Sequence, residues 1–242
     1  MLRVVQYQRI AHDLRQQITE RQLSPGDRLP SEHQLSTRYG VGVPTVRQAM
    51  ALLEMEGLVD KQHGKGTFVR APRPRTQYRD DRHTWADWQP TPEHLTQHTT
   101  HRTTADHQLS ALLAVPVATV LTEHRYTTRV LDHAPHILVR AYVHPDIEAD
   151  LIAGTAPSPW GDDLHQALVA AGVELAEVTE RVTARPPTAE EAQAMNLSGG
   201  IALLEITRTT TDTTGRVAAA AVLRFAGDRA EAIYSRAVPP PN

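Results

Sequence analysis

Hydrogen-bonding side chains cluster in the first third of the chain with a spacing that suits duplex DNA. One group stands near the start of a helical pattern and the other in a basic turn: Thr45, Arg47 and Gln48, then His63, Gly64 and Lys65. Arginine can donate to guanine or to a phosphate, glutamine can pair with adenine, and threonine can donate to a phosphate. Glycine in the turn lets the backbone approach a groove closely. The two groups together predict a DNA-binding surface.

Three helices and a hairpin are predicted to position these side chains. Apolar residues at four-residue intervals predict a first helix over residues 7–20. Ser31, followed three residues later by Gln34, is a capping-box pattern that predicts the start of a second helix. A third helix is predicted from residue 43, and a hairpin over residues 59–69. The first turn of the third helix would project the candidate side chains outward.

The charge of the chain is divided unevenly between its two ends. Residues 1–75 carry 12 Lys and Arg against 7 Asp and Glu, and the remainder carries 13 against 21, for a formal net charge of -3. A basic N-terminal third on an acidic remainder favours a nucleic-acid-binding module joined to a second domain.

Composition limits the class of protein further. The absence of cysteine excludes disulfides and thiolate metal sites. No signal-peptide pattern and no apolar run of about 18 residues is present, so we expect a cytoplasmic protein with no membrane partner and no cofactor. His94, His98 and His101 would share one face of a helix and suggest a metal site. Their Thr-rich surroundings predict a strand instead, which would turn His101 to the opposite face, so no metal site is predicted.

A proline-rich stretch divides the chain into two domains. Residues 71–92 contain four prolines among polar residues, which predicts a linker between a domain over residues 1–70 and a domain over residues 93–242. Trp85 and Trp88 lie inside this stretch, and we expect them to dock on one of the domains.

The second half contains an internal repeat of helix, strand, turn and strand. Residues 104–113 resemble residues 188–197, and residues 135–143 parallel residues 217–225. Arg125 and Arg208 then occupy corresponding positions. Two hairpins sharing one antiparallel sheet, with helices covering a face, predict an α+β domain with a crevice between the repeats.

With these motifs the chain resembles the GntR family of winged helix-turn-helix regulators. The motifs that carry the resemblance are Leu29-Pro30-Ser31-Glu32, Thr45-Val46-Arg47-Gln48-Ala49, Glu56-Gly57-Leu58 and Gly64-Lys65-Gly66-Thr67-Phe68-Val69. The second half resembles the UTRA effector-binding domain of the HutC branch, whose fold is similar to chorismate lyase. This part rests on the repeat and on Pro187-Thr188-Ala189-Glu190-Glu191-Ala192.

The resemblance implies a repressor that binds double-stranded operator DNA as a homodimer. The residues it places at DNA, besides the two groups above, are Arg28, Ser31, Glu32, His33, Arg38 and Pro44. The family commonly has Ser-Arg-Thr-Thr where this chain has Gly42, Val43, Pro44 and Thr45, and often has Arg in place of His33. The operator sequence is therefore expected to differ from the common family half-site.

The resemblance also implies a small-molecule effector, often an anionic metabolite, that releases the protein from DNA. The candidate ligand-binding residues lie on strands of the repeats: Arg125, Arg140, Tyr142, Arg208 and Arg224. An inward arginine suits a carboxylate or phosphate. The alternative is that these arginines face solvent and pair with Glu123 and Glu205.

Several alternatives stay open at this point. Arg47 could pair with Glu54 or Glu56, and Glu32 could pair with Arg38, instead of contacting DNA. The chain could be an enzyme of chorismate-lyase-like fold with an accessory DNA-binding domain, although no catalytic motif stands out. It could also be a GntR regulator whose effector domain is a helical, metal-dependent bundle.

Overall fold

The computed structural model describes residues 5–62, 64–70, 75–79, 94–130, 134–148, 157–197 and 200–235. The chain divides into two compact units, one mainly before Thr76 and one mainly from Thr76 onward. Trp85, Trp88 and most of the predicted linker lie outside the described residues. No helix in the described part of the chain combines the length and the apolar character needed to cross a membrane.

The N-terminal unit contains the three helices and the hairpin that the sequence predicts. In chain order they are α1 (Gln6–Thr19), α2 (Glu32–Tyr39), α3 (Val43–Met55), β1 (Val59–Gln62) and β2 (Gly66–Val69). The two strands pair antiparallel, with Val59 opposite Val69.

Local signals explain where these helices begin and end. The Ser31 side chain accepts a hydrogen bond from the Gln34 amide, and the Gln34 side chain accepts one from the Ser31 amide, which completes the predicted capping box. Gly40 follows α2 with a φ of 64°, a left-handed conformation that glycine adopts at little cost. Pro44 lies in the first turn of α3, where its missing N–H costs no hydrogen bond.

Apolar side chains at helical spacing form the core of this unit. Ile10 and Leu14 of α1, Leu35 of α2, and Val46 and Leu53 of α3 are almost completely buried together. Each such side chain contributes about 1.5–3 kcal/mol of hydrophobic stabilisation. The orientation that buries Val46 and Leu53 turns the polar start of α3 outward.

The C-terminal unit is built on a six-stranded antiparallel sheet. The elements after residue 75 are β3 (Thr76–Arg79), β4 (His94–Thr104), α4 (His107–Leu113), β5 (Val120–Val130), β6 (Ile137–Val143), α5 (Pro145–Glu148), α6 (Asp162–Ala170), β7 (Leu175–Arg185), α7 (Ala189–Ala194), β8 (Leu203–Asp212), β9 (Val217–Ala226) and β10 (Ala230–Ile233). All of them belong to the C-terminal unit except most of α7, because residues 186–192 are grouped with the N-terminal unit. The order in the large sheet is β4-β5-β6-β9-β8-β7, and β3 pairs in parallel with β10 in a separate two-stranded sheet. The predicted α+β class is confirmed.

The strand order confirms the internal repeat. Strands β4, β5 and β6 form one half of the sheet, β7, β8 and β9 form the other, and β6 pairs with β9 at the centre, with Arg140 opposite Val222. One constant offset in sequence relates the two halves: it pairs Glu123 with Glu205 and Tyr126 with Arg208. The predicted equivalence of Arg125 and Arg208 is therefore wrong by one residue.

The two faces of the sheet bury different clusters. On the face covered by α6, here called the α6 face, Tyr126, Val139, Leu223 and Phe225 pack with apolar residues of that helix. On the opposite face, here called the α4 face, a smaller cluster that includes Tyr142 packs against α4. A side chain on one face therefore cannot share a site with a side chain on the other.

The predicted linker contains an ordered strand. Tyr78 of β3 is buried in the core of the α6 face, with its ring centroid 5.6 Å from Trp160 and 5.7 Å from Phe225. The backbone amide of Thr76 donates to the carbonyl of Arg229. Residues 76–79 thus belong to the C-terminal unit, because their single aromatic side chain is part of its core.

Candidate nucleic-acid interface and effector site

The start of α3 presents polar side chains to solvent. Pro44, Arg47 and Gln48 are exposed and Thr45 is half-buried. The guanidinium side chain of Arg47 keeps 67% of its surface accessible. In a helix-turn-helix, the second helix enters the major groove with its N-terminal residues toward the bases. The exposed first turns of α3 suit that position.

Glu32 holds Arg47 from the neighbouring helix. The Arg47 Nε atom donates to Glu32 Oε2 over 2.7 Å, and the other oxygen of Glu32 lies 3.9 Å from Lys61 Nζ. The expected alternatives were different: Arg47 was to pair with Glu54 or Glu56, and Glu32 with Arg38.

The structure contradicts the predicted partners of Glu56 and Glu32. Glu56 accepts two hydrogen bonds from Arg15 of α1, and Glu32 faces α3 and β1 rather than the last turn of its own helix. Glu32 therefore connects α2, α3 and β1 beside the recognition surface. A surface pair of this kind contributes about 0–1 kcal/mol to stability, so its main effect is on the direction of the Arg47 side chain.

Arg28 lies against the base of the hairpin. Its backbone forms an isolated antiparallel bridge with Phe68. A Cβ atom placed on Gly66 would be only 2.7 Å from Arg28 Nε. Gly66 also has a φ of 120°, which favours glycine. Because Gly66 has no side chain, the exposed guanidinium of Arg28 has room beside the β1–β2 hairpin.

The tip of the hairpin is a short exposed turn. Gly64 has a φ of 73°, and the Lys65 amide donates to the Gln62 carbonyl to close the turn. Gly64 and Lys65 are exposed. His63, predicted to contact DNA beside them, lies outside the described residues.

The candidates on α2 are also accessible. Ser31, His33 and Arg38 are exposed. The Ser31 hydroxyl oxygen accepts from the Gln34 amide in the capping box. Its own hydrogen and the backbone amides of the first turn are the donors that can reach a phosphate. Arg38 lies 5.5 Å from the ring centroid of Tyr39, at the far end of the helix.

On the α4 face, a buried glutamate organises three of the predicted effector residues. Glu123 accepts hydrogen bonds from Arg125 and from the Tyr142 hydroxyl, the latter over 2.7 Å, and lies 3.7 Å from Arg140 Nε. Burial favours the protonated acid, but the hydrogen bonds from Tyr142 and Arg125 outweigh it and hold the pKa of Glu123 below its ordinary value.

The second repeat has a matching arrangement on the same face. Glu205 accepts from Arg185 over 2.7 Å and from Arg224 over 3.0 Å. Burial again opposes ionisation, and the two arginines hold the pKa of Glu205 below its ordinary value. The two groups, here called the Glu123 and Glu205 clusters, contain four arginines and two glutamates, so together they keep a net positive charge. Arg185 was missed from the sequence because its strand lies outside the recognised hairpins.

Arg208 does not belong to this set. It lies on the α6 face, where its guanidinium donates to Asp162 over 2.7 Å and to Glu180 over 2.9 Å. The five predicted effector residues therefore do not form one site: four share the α4 face and Arg208 is buried on the other. The positive charge of Arg208 is already balanced by two carboxylates, so it is not available to an anion.

The predicted histidine pattern follows the strand. β4 includes His98 and His101, whose side chains alternate between the faces as a strand requires. His98 stacks on Tyr126, with ring centroids 4.5 Å apart, and its Nε2 lies 3.2 Å from Nδ1 of His124.

Comparison with known proteins decides the family. The profile of the gntR family of bacterial regulatory proteins matches residues 6–69, and the UTRA domain profile matches residues 93–231. The chain belongs to the GntR family and carries a UTRA domain. This GntR protein is thus a DNA-binding transcriptional regulator with an effector domain, and the proteins it matches are named as regulators, not enzymes.

Individual relatives extend over different parts of this GntR protein. It is 28% identical to an HTH-type transcriptional regulator of Streptomyces coelicolor, covering 96% of this chain and 93% of that one. It is 29% identical to the histidine utilization repressor of Klebsiella aerogenes, covering 92% and 91%. The mannosyl-D-glycerate transport/metabolism system repressor of Escherichia coli is 42% identical, but over only 28% of each chain.

Solved structures show the same fold. A GntR-family regulator crystal structure superposes with a TM-score of 0.66 at 23% identity, covering 98% of this chain and 99% of that one. YydK from Bacillus subtilis superposes with a TM-score of 0.54 at 16% identity, covering 97% and 100%. The alternative of a helical effector bundle is wrong, since the C-terminal unit is built on a six-stranded sheet.

We expect Glu123→Gln to destabilise the C-terminal unit by about 1–3 kcal/mol at pH 7, because hydrogen bonds to an ionised group are stronger than neutral ones. The folded-state pKa of Glu123 lies below its ordinary value of 4.5. Its contribution is therefore fully present above that value and is lost as the pH falls through the folded-state pKa. Urea unfolding followed by circular dichroism should show a difference from wild type that stays constant from about pH 7 to about pH 5 and shrinks as the pH falls below 4.5.

Glu177→Gln is the matched control, because Glu177 is an exposed carboxylate on β7. Its effect should stay within about 0.5 kcal/mol. A Glu123→Gln difference that did not change with pH would contradict the assigned ion pairs.

Proposed function

We propose that this protein is a cytoplasmic repressor that leaves its operator when an anionic effector binds the C-terminal unit. The observation that carries the DNA half is the exposed start of α3, where Arg47 is directed by Glu32. The observation that carries the effector half is the net positive charge of the Glu123 and Glu205 clusters.

In the proposed complex α3 lies in the major groove. Arg47 donates to guanine or to a phosphate, Gln48 pairs with a neighbouring base, and Thr45 donates to the backbone. The amides at the start of α2 and the side chains of Arg28, His33 and Arg38 bind phosphates. In this proposal Gly64 and Lys65 of the hairpin contact the adjacent minor groove, and the sequence predicts the same role for His63.

We expect Arg47→Ala to weaken specific operator binding by about 1–3 kcal/mol, because a bidentate arginine contact to a base has that value. The measurement is a gel-shift titration at fixed salt with operator selected from a random duplex library. Binding to a scrambled duplex should fall much less.

Arg102→Ala is the matched control, since it removes the same charge from an exposed position of β4. It should leave operator affinity within a few-fold of wild type. Equal operator affinities for wild type and the Arg47 variant would exclude the proposed base contact.

The proposed effector site lies on the α4 face. Arg125 and Arg140 are 46% and 43% exposed, although Glu123 beside them is buried. Their remaining N–H groups can bind a carboxylate or phosphate in pairs. Arg224 lies on the strand next to that of Arg140, which extends the positive surface toward the second repeat.

We expect a small organic acid that fits this surface to raise the melting temperature of wild type but not of Arg140→Ala. A panel of carboxylates and phosphate esters, tested by thermal shift, would identify it. A ligand binding at ten times its Kd stabilises the folded state by about 1.4 kcal/mol, which is measurable. A stabilising acid that acted equally on the variant would place the site elsewhere.

We further propose that the protein acts as a homodimer on a near-palindromic operator. One N-terminal unit covers a short half-site. Two such units related by a two-fold axis would contact half-sites separated by about one or two helical turns of DNA. Light scattering should give twice the chain mass, both alone and with operator. A monomer under both conditions would exclude this assembly.

A further inference from the structure

Four side chains at the centre of the α4 face form a two-by-two block, here called the central block. Arg140 of β6 lies directly opposite Val222 of β9. Two residues along, Leu138 of β6 lies directly opposite Arg224 of β9. Residues two apart on a strand, and residues opposite each other on neighbouring strands, point to the same face of a sheet. The two arginines therefore occupy one diagonal of the block, and the two apolar side chains occupy the other.

The central block lies where the two repeats meet. The sequence offset that relates the repeats also pairs Arg140 with Val222, and these two residues are partners across the β6–β9 boundary. α4 packs against a neighbouring part of this face, which contains Tyr142. The four side chains of the block are half-buried. A ligand that lies on the block would therefore contact both halves of the sheet.

Each arginine of the block is attached to a different glutamate. Arg140 Nε lies 3.7 Å from Glu123 Oε1, and Arg224 Nε donates to Glu205 Oε2 over 3.0 Å. Each glutamate also binds a second arginine, so each cluster has two arginines for one glutamate. A guanidinium carries several N–H groups, so it can hold a glutamate and a ligand carboxylate together.

The spacing of the two arginines favours two separate anions. Diagonal neighbours on adjacent strands lie about 7–8 Å apart. Arg140 turns toward β5 and Arg224 toward β8, on opposite sides of the β6–β9 pair, because their glutamates lie on those strands. A single carboxylate would have to pull one arginine away from its glutamate. Two carboxylates fit without that loss, and the space between them lies over Leu138 and Val222.

We propose that the effector carries two acidic groups joined by an apolar segment. One acid binds Arg140 in the Glu123 cluster, the other binds Arg224 in the Glu205 cluster, and the apolar segment lies on Val222 and Leu138. The inference rests on the proposed function, because it specifies the ligand of the effector site proposed on the α4 face.

Straight-chain dicarboxylates test this on the wild-type full chain. Titration calorimetry compares malonate, succinate, pimelate, suberate and sebacate, and each of the three longer diacids is matched by the monoacid of the same length. Affinity should be greatest among the three longer diacids, because the shorter ones cannot reach both arginines. The best diacid should bind at least about tenfold more tightly than its monoacid, since the second carboxylate adds a charge-assisted hydrogen bond.

Arg224→Ala assigns the second acid to its residue. The variant should bind the best diacid and its monoacid with equal affinity, because the Arg140 position remains for one acid. Arg181→Ala is the matched control. Arg181 is exposed on β7 and lies in line with Thr207 and Val222 on the same face, so its loss removes the same charge away from the block. This control should keep the preference for the diacid.

Two results would overturn the inference alone. One needs no variant and so holds even if the variant does not fold: a wild-type protein that binds a carboxylate or phosphate ester but binds no diacid more tightly than its monoacid. The other is an Arg224→Ala variant that keeps the full preference for the diacid. A wild-type protein that binds none of these acids would overturn the proposed effector site and this inference together.

Discussion

The positive charge of Arg208 is the constraint on which the C-terminal unit depends. Arg208 has only 6% of its surface exposed, so its charge must be compensated where it lies, and Asp162, Glu180 and Tyr78 provide that compensation from three different elements. Burial alone would lower the pKa of Arg208, but the neighbouring carboxylates raise it, so the group stays charged. Removing one partner of such a buried pair costs about 3–5 kcal/mol, which makes these contacts obligatory.

The position of α6 follows from the same requirement. Asp162 and Asp163 begin this helix, where negative charge is favourable, and each side chain reaches a different half of the sheet. Asp162 binds Arg208, whereas Asp163 accepts from the Tyr126 hydroxyl over 2.8 Å. Two consecutive carboxylates thus attach a single helix to both repeats.

Sequence reasoning succeeded where the signals are local. The capping box at Ser31, the left-handed glycine at position 40 and the helical spacing of apolar residues each act within a few residues, so the N-terminal unit was predicted almost element by element. The partner of Arg47 was not, because Glu32 lies on another helix and only tertiary structure brings the two together.

The wrong predictions in the C-terminal unit have two physical causes, the strand register and a distant strand partner. In a strand, a slip of one residue moves a side chain to the opposite face. The sequence pattern shows the repeat, but it aligns Arg125 with Arg208, whereas the strand register aligns Tyr126 with Arg208. For this reason Arg208 was grouped with residues of the α4 face. β3 was missed because its strand partner, β10, comes near the end of the chain, too far in sequence for a local pattern to reveal.

The two halves of the sheet share a backbone plan but not a chemistry. At the equivalent positions beneath α6 one repeat carries the phenol of Tyr126 and the other the guanidinium of Arg208. The two ends of the α6 face therefore differ in chemistry, because one end presents an arginine and the other an aromatic side chain. A molecule lying across this face would meet unlike neighbours on its two sides, so the two orientations of an unsymmetrical compound would differ in energy.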